Sequence, residues 1–356
     1  MDMETRNYTA DAVMLLKDLI AIPSVSRDET KAADRLAEYL TNWNLPFGRE
    51  GNNLWVGCPD WDNNRPTVML NAHIDTVKPV NSWTRDPFTP TEEGDLLYGL
   101  GANDCSGGLV ALLQAYRIML QRPRNYNLLW VASAEEEVSG ENGFSRVLPK
   151  LPKVDVAIVG EPTGMQPAIA EKGLMVIDGY AHGKSGHAAR EEGVNAIYEA
   201  LDDLVWIRDY RFRKESPLLG ATKMTVTVIE GGTQHNVIPD TLHFIIDVRA
   251  NEFYQNEYLF EFLRKKMKHC ELRARSFRLH SSCIDANHPL VKRCIERGMQ
   301  PFGSPTLSDQ ALMPFASLKL GPGDSGRSHA ADEFIKISEI EQAINTYVGL
   351  LDGLQL

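Results

Sequence analysis

Short, uninterrupted apolar runs separated by amphipathic stretches dominate the first half of this chain. TVMLNA (67–72), NLLWVASA (127–134) and VDVAIVG (154–160), joined near the end by FASLKLG (315–321), have no wet face. Such runs predict strands buried on both sides of a parallel sheet. Helical spacing falls in VMLLKDLIAI (13–22), TKAADRLAEYL (30–40) and GGLVALLQAYRIML (107–120). The alternation predicts an α/β domain whose mostly parallel sheet is flanked by helices. A last helix is predicted from Ser338, where Ser338 and Glu341 make an S-x-x-E capping box. Ile340, Ile344, Tyr347, Val348 and Leu351 then line one face.

The middle of the chain has a different rhythm. Strand (GLMVIDGYAHG), helix (NAIYEALDDLVWIRDY), strand (TKMTVTVIEG), strand (TLHFIIDVRA), helix (NEYLFEFLRKKM) and strand (ELRARSFR) follow one another. The order β-α-β-β-α-β predicts a ferredoxin-like α+β unit. The α/β pattern resumes near residue 284. An inserted small domain at 173–283 within a larger one made of 1–172 and 284–356 accounts for both rhythms. A length of 356 residues, long for one core, agrees with two domains.

Composition narrows the partners. A net charge of −11, from 37 basic and 48 acidic side chains, disfavours nucleic acid or an anionic membrane. No apolar stretch is long enough to span a bilayer. The acidic, polar start MDMETRNYTADAV is unlike a secretory leader, so a cytoplasmic protein is expected. Five cysteines with no C-x-x-C pair suit a reducing compartment and argue against a disulfide framework. Cys105 is read as a small buried filler that stands next to Asp104.

Candidate chemistry sits where the apolar runs stop. His73 follows the first run, the Glu135-Glu136-Glu137 triplet the second, Glu161 the third, and His329 lies in the loop after the fourth. Asp104 lies in a glycine-rich turn, GLGANDCSGG, between a strand signal and an apolar helix. Open α/β sheets gather their ligands beyond the carboxyl ends of the strands, so these residues converge. Two imidazoles and three carboxylates suit divalent cations, zinc among them. Asp75, two residues after His73, is placed to accept the second imidazole proton. In the triplet, one carboxylate binds metal while its neighbour stays free as a general base. Each segment alone has a plainer reading: a satisfied strand-end histidine, a helix cap at Asp104, a solvated acidic loop. The joint occurrence is what points to a double metal site.

The motifs H-x-D-T-V, G-x-G-x-x-D-x-x-G-G, the Glu-Glu pair, G-E-P-T-G and G-P-G-…-H-x-x-D-E, in that order, resemble the co-catalytic zinc amidohydrolases and peptidases. Acetylornithine deacetylase, succinyl-diaminopimelate desuccinylase, aminoacylases, dipeptidases and carboxypeptidases belong there. The resemblance implies a zinc-binding α/β domain with a ferredoxin-like lid that dimerises. It implies that Asp104 bridges two metals, with His73 and Glu161 completing one site and Glu137 and His329 the other. Glu136 becomes the general base and Asp75 the partner of His73. In the lid, GKSGHAAREEGVNAI implies that His187 reaches the neighbouring subunit's site to steady the oxyanion. GGTQHNVIPD and DVR imply that Asn236 and Arg249 bind substrate; an ion pair within the lid is the competing reading of Arg249. Cobalt or manganese could replace zinc at such ligands.

Three positions depart from the family pattern: Leu100 and Ser106 replace a common arginine and lysine, and Glu135 a common aspartate. None is an implied metal ligand. The expected substrate is an Nα-acyl amino acid, with acetylornithine or succinylornithine in arginine biosynthesis foremost. Arg249 is expected to hold the α-carboxylate, and Lys184, Arg190 and Arg327 are candidates for the extra carboxylate of a succinyl group. Succinyl-diaminopimelate, a dipeptide and a metal-binding protein without turnover are the alternatives.

Overall fold

A computed structural model of the chain describes residues 3–190 and 192–356. Met1, Asp2 and Glu191, the last within the segment around His187, lie outside the described residues. Two compact units emerge. The first comprises Met1–Ile169, Ile284–Phe302 and Ser308–Leu356; the second comprises Ala170–Cys283 and Gly303–Leu307. The sequence puts residues 303–307 in the larger domain, but Gly303 approaches the Leu218 carbonyl so closely that a Cβ there would lie 2.3 Å from it. That short return segment therefore packs with the second unit.

The first unit is built on a sheet in the order Gly48–Glu50, Asn53–Gly57, Asn127–Ser133, Thr67–His73, Val156–Val159, Ala316–Lys319. The last four are mutually parallel, Asn53–Gly57 runs against them, and Gly48–Glu50 is antiparallel to Asn53–Gly57. Every residue of Thr67–His73, Asn127–Ser133 and Val156–Val159 is buried, which is why these strands read as unbroken apolar runs. On one side the Gly107–Met119 helix packs among the Met3–Ile20 helix, the Ile337–Leu351 helix and the sheet. It is enclosed on nearly its whole circumference, so it is apolar all round rather than striped. On the other side Met69, Leu129, Val131 and Ala157 meet Phe144 and Val147. Each fully buried Leu, Val or Phe adds roughly 1.5–3 kcal/mol to the cohesion of these layers.

The last helix starts one residue before Ser338 and is capped differently from the sequence expectation. Lys336 is its N-cap and Glu339 reaches back to the Lys336 N–H at 3.1 Å. The Ser338 hydroxyl and N–H instead bond Asp95, which a distant loop brings to the helix start. The first helix also begins earlier, at Met3.

The second unit has four antiparallel strands in the order Lys223–Gly231, Thr241–Arg249, Met175–His182, Cys270–Ala274, with helices Ala196–Asp209 and Asn256–Lys266. This is the ferredoxin-like arrangement. Strict alternation explains it: Ile177, Ala181, Phe244, Ile246 and Val248 point into the apolar cluster, while their neighbours in sequence stay half-exposed. Among the described residues no helix is long and apolar enough to cross a membrane, and all five cysteines are free thiols.

Candidate metal centre

The ends of the parallel strands, with the turns beyond them, supply the site. His73 is the last residue of its strand, the Glu135–Glu137 turn follows Asn127–Ser133, and Glu161 comes two residues after Val159. Asp104 is carried by the turn ahead of the Gly107–Met119 helix. Gly108 at that helix start lies against the Gly160 carbonyl, where a Cβ would be 1.8 Å away. Only glycine permits this approach, which draws the Asp104 turn towards the Glu161 strand.

Asp104 faces both ways. Its Oδ1 lies 3.3 Å from His73 Nε2 and its Oδ2 lies 3.6 Å from His329 Nε2. Glu161 Oε1 is 3.6 Å from His73 Nε2, and Glu137 Oε2 is 2.9 Å from His329 Nε2. Two clusters result, each with ligand atoms mutually within 4.8 Å: His73, Asp104, Cys105 and Glu161 in one, Asp104, Glu137 and His329 in the other. Glu136 stands beside the first, its Oε2 4.0 Å from His73 Nε2. Cys105 is fully buried, and its sulfur is bonded to the backbone of His73.

The electrostatics are those of a site that wants positive charge. Burial, then the neighbouring Glu161 carboxylate, pushes Glu136 well above the ordinary carboxylate range. Burial pushes Glu161 up to about 8 against the pull of His73. Burial also opposes the charged form of His73, but Cys105, Asp104 and Asp75 more than compensate and raise it well above its usual value. The hydrogen bond to Glu137 lifts His329 to about 9 despite partial burial. Burial works to raise Asp104, yet its bond to His73 keeps it below the usual range. Glu161 Oε1 is buried without a hydrogen-bond partner. Crowded carboxylates and an orphaned oxygen fit a divalent ion better than any arrangement of protons.

Asp75 meets His73 through its backbone. His73 Nδ1 bonds the Asp75 backbone carbonyl at 2.9 Å, while the carboxylate is 3.5 Å away. The carboxylate is occupied elsewhere, taking the N–H groups of Glu136 and Glu137 and the Ser26 hydroxyl. One short turn thus fixes both the imidazole and the glutamate pair. Glu333, the last residue of the H-x-x-D-E motif, has a part that sequence reasoning missed. Its buried carboxylate accepts the N–H groups of Gly101, Asn103 and Asp104 and shapes the Asp104 turn. Burial raises it to about 7.

Three further candidates lie in the second unit. His187 and Asn236 are neighbours, for Gly186–His187 pairs with Val237–Ile238 and Ala188 N donates to the Asn236 carbonyl at 3.0 Å. Both side chains are exposed. Arg249 makes a two-pronged pair with Asp247 at 2.9 and 3.0 Å. In the first unit Arg327 is likewise held by Glu339, at 2.8 and 3.0 Å, and lies over the Phe334 ring, so it offers no free charge to a succinyl group. Lys184 and Arg190 are exposed.

Residues 69–353 match the model of peptidase family M20/M25/M40. The chain belongs to that family. Among curated M20 relatives, the acetylornithine deacetylase of Proteus mirabilis is 28% identical over 365 residues, covering 92% of this chain and 93% of its own length. The succinyl-diaminopimelate desuccinylase of a Wolbachia pipientis strain is 28% identical over 273 residues, covering 71% and 68%. Solved structures share the fold. Aminopeptidase PepT from Bacillus cereus superposes with a TM-score of 0.77 at 17% identity, covering 97% of this chain and 98% of its own. A Bacillus subtilis protein described as a dinuclear metal binding peptidase of the M20 family gives 0.75 at 16% identity, with the same coverage. The mostly parallel sheet flanked by helices is therefore the M20 architecture.

Proposed function

We propose that this M20 protein is a metal-dependent amidohydrolase that removes the acyl group of an Nα-acyl amino acid, with acetylornithine or succinylornithine the foremost substrates. The observation that carries the proposal is Asp104, whose two oxygens face two separate His-and-carboxylate clusters. His73, Asp104 and Glu161 would hold one zinc ion, and Glu137, His329 and Asp104 the other. The deacetylase and desuccinylase relatives support the substrate class.

When bound, such a pair acidifies water and polarises an amide carbonyl. Glu136 is the general base: it takes the proton from the attacking water and returns it to the departing amine. Its raised proton affinity suits a group that must hold a proton between the two steps. Asp75 keeps His73 and the Glu136 backbone in one geometry. His187 accepts the Ala189 N–H on Nδ1 at 3.1 Å, so a neutral ring carries its proton on Nε2, free to donate to the oxyanion. Asn236, beside it, would contact substrate; Arg249 would do so only by releasing Asp247.

The second unit would serve as lid and as the surface of a homodimer. Tyr198, Leu201 and Val205 form an exposed stripe on one helix, at 70%, 47% and 45% exposure, and Lys223–Gly231 is the outer strand of its sheet. A cytoplasmic setting agrees with five free thiols.

Amine release from acetylornithine, succinylornithine, succinyl-diaminopimelate and a dipeptide panel tests the proposal. Chelator-treated protein should be inactive, and zinc, cobalt or manganese should restore turnover of an acyl amino acid. Metal-loaded protein inert towards every substrate would overturn it and favour a binding role.

A further inference from the structure

Four consecutive backbone N–H groups in the turn that carries Glu136 are each taken by a side chain from elsewhere in the chain. Ala134 N donates to Asn53 Oδ1 at 3.0 Å and Glu135 N to Glu29 Oε1 at 3.3 Å. Glu136 N and Glu137 N donate to the two Asp75 oxygens at 3.0 and 3.1 Å. Successive N–H groups turned to one side make an anion-seeking concavity. Here the chain fills it with its own oxygens, the Asn53 amide and the Glu29 and Asp75 carboxylates.

Glu29 is the unexplained member of this set. It precedes the 69–353 span that matches the family model. It is fully buried, and among the described residues no cation pairs with it. Its other donors are neutral: Arg27 N at 2.5 Å on Oε1 and Asn52 Nδ2 at 3.1 Å on Oε2. An apolar side chain would fill the same space without the desolvation cost of a buried carboxylate. It could not accept the Glu135 N–H. That bond has a specific task, because Glu135 adopts a left-handed conformation (φ 54°) that a side-chain-bearing residue holds only when its surroundings impose it. The Glu135 carboxylate is itself pinned by Asn142, and Gly140 clears room for it: a Cβ there would lie 1.8 Å from Glu135 Oε2.

We infer that Glu29 is a positioning residue for the hydrolysis: through the Glu135 amide it imposes the left-handed turn and so sets the direction in which Glu136 leaves the backbone. The segment ahead of the family match thereby becomes part of the catalytic scaffold, with Asn53 holding the turn one residue earlier. The inference rests on Glu136 being the base.

Replacing Glu29 with Met keeps the length but leaves the Glu135 N–H without an acceptor. With the best acyl amino acid as substrate, Glu29→Met should lower kcat roughly 10- to 100-fold with KM and metal content nearly unchanged. Amide hydrogen exchange across residues 130–140 should quicken. Asn52→Ala, which removes only the side chain that steadies Glu29, should lower kcat about 3-fold with the same signature, and serves if Glu29→Met fails to fold. Glu38→Gln, on an exposed turn of the following helix, is the control and should leave kcat as it is.

Unaltered kcat and exchange in Glu29→Met overturn the inference while leaving the proposed function standing. Activity lost in step with metal overturns it too, in favour of a part in metal retention. A wild-type protein inert towards every acyl amino acid defeats the proposed function instead. Exchange at the turn then decides alone: unchanged rates in Glu29→Met sink the Glu29 assignment.

Discussion

The two sets of candidate residues in this protein are held in opposite ways. In the first unit, Glu136, Glu137 and Asp104 sit on turns whose backbone N–H groups are tied to Asp75, Glu29 and Glu333. In the second unit, His187 and Asn236 stand exposed on a pair of two-residue strands. The first is built to hold charge in a fixed place before anything binds, which is what electrostatic preorganisation requires. The second leaves its two groups exposed to solvent. Buried hydrogen bonds hold the charged set, while water surrounds the residues proposed to meet substrate.

Substitutions on each side should break this contrast in different ways. The largest effect is expected from Glu136→Gln, which should lower kcat by roughly 100- to 10,000-fold with metal content unchanged by elemental analysis. Loss of metal in that variant would mean Glu136 is a ligand and not the base. His187→Ala should cost ~100- to 1,000-fold in kcat with no change in metal content and little in Tm, because the structural bond its exposed ring makes is to the Ala189 N–H at the surface. A marked fall in Tm would give it a structural task instead.

The smallest effect concerns stability within the second unit. The Arg275 guanidinium, helped by His243, holds the Asp178 carboxyl at about 2 against partial burial, below its usual 3.8. The folded state therefore releases this proton more readily than the unfolded one. The stabilisation is complete above about pH 4 and is lost as pH falls through 2. Glu230 lies 3.7 Å from the other ring nitrogen of His243. Asp178→Asn should lower Tm by no more than about 3 °C at pH 6, with the gap to wild type closing below pH 4. A gap that does not vary with pH would point to lost packing alone.

The unequal legibility of the two regions follows from the same physics. His73, Glu161 and the glutamate turn were readable because each follows a strand buried on both faces, and such strands announce themselves as unbroken apolar runs. The β-α-β-β-α-β order was readable because one face of that sheet is buried and the other half-wet, which imposes alternation. Glu29 and Glu333 were not readable as scaffold residues. Their partners lie 106 and 229 residues away, at Glu135 and Asp104, and a hydrogen bond to a backbone N–H leaves no mark on the residue that donates it. The sequence likewise offered Arg327 as a free cation, although Glu339 neutralises it.

Hydrophobic patterning alone determined the layers of this protein and the strand ends at which its charged residues gather, because burial acts on every residue and is written locally. Only the folded chain decided which oxygen of Asp75 meets which N–H, which residue caps the last helix and which arginines remain free. Those choices turn on differences of a few tenths of an ångström between groups far apart in sequence, and such distances exist only once the strands have been brought side by side.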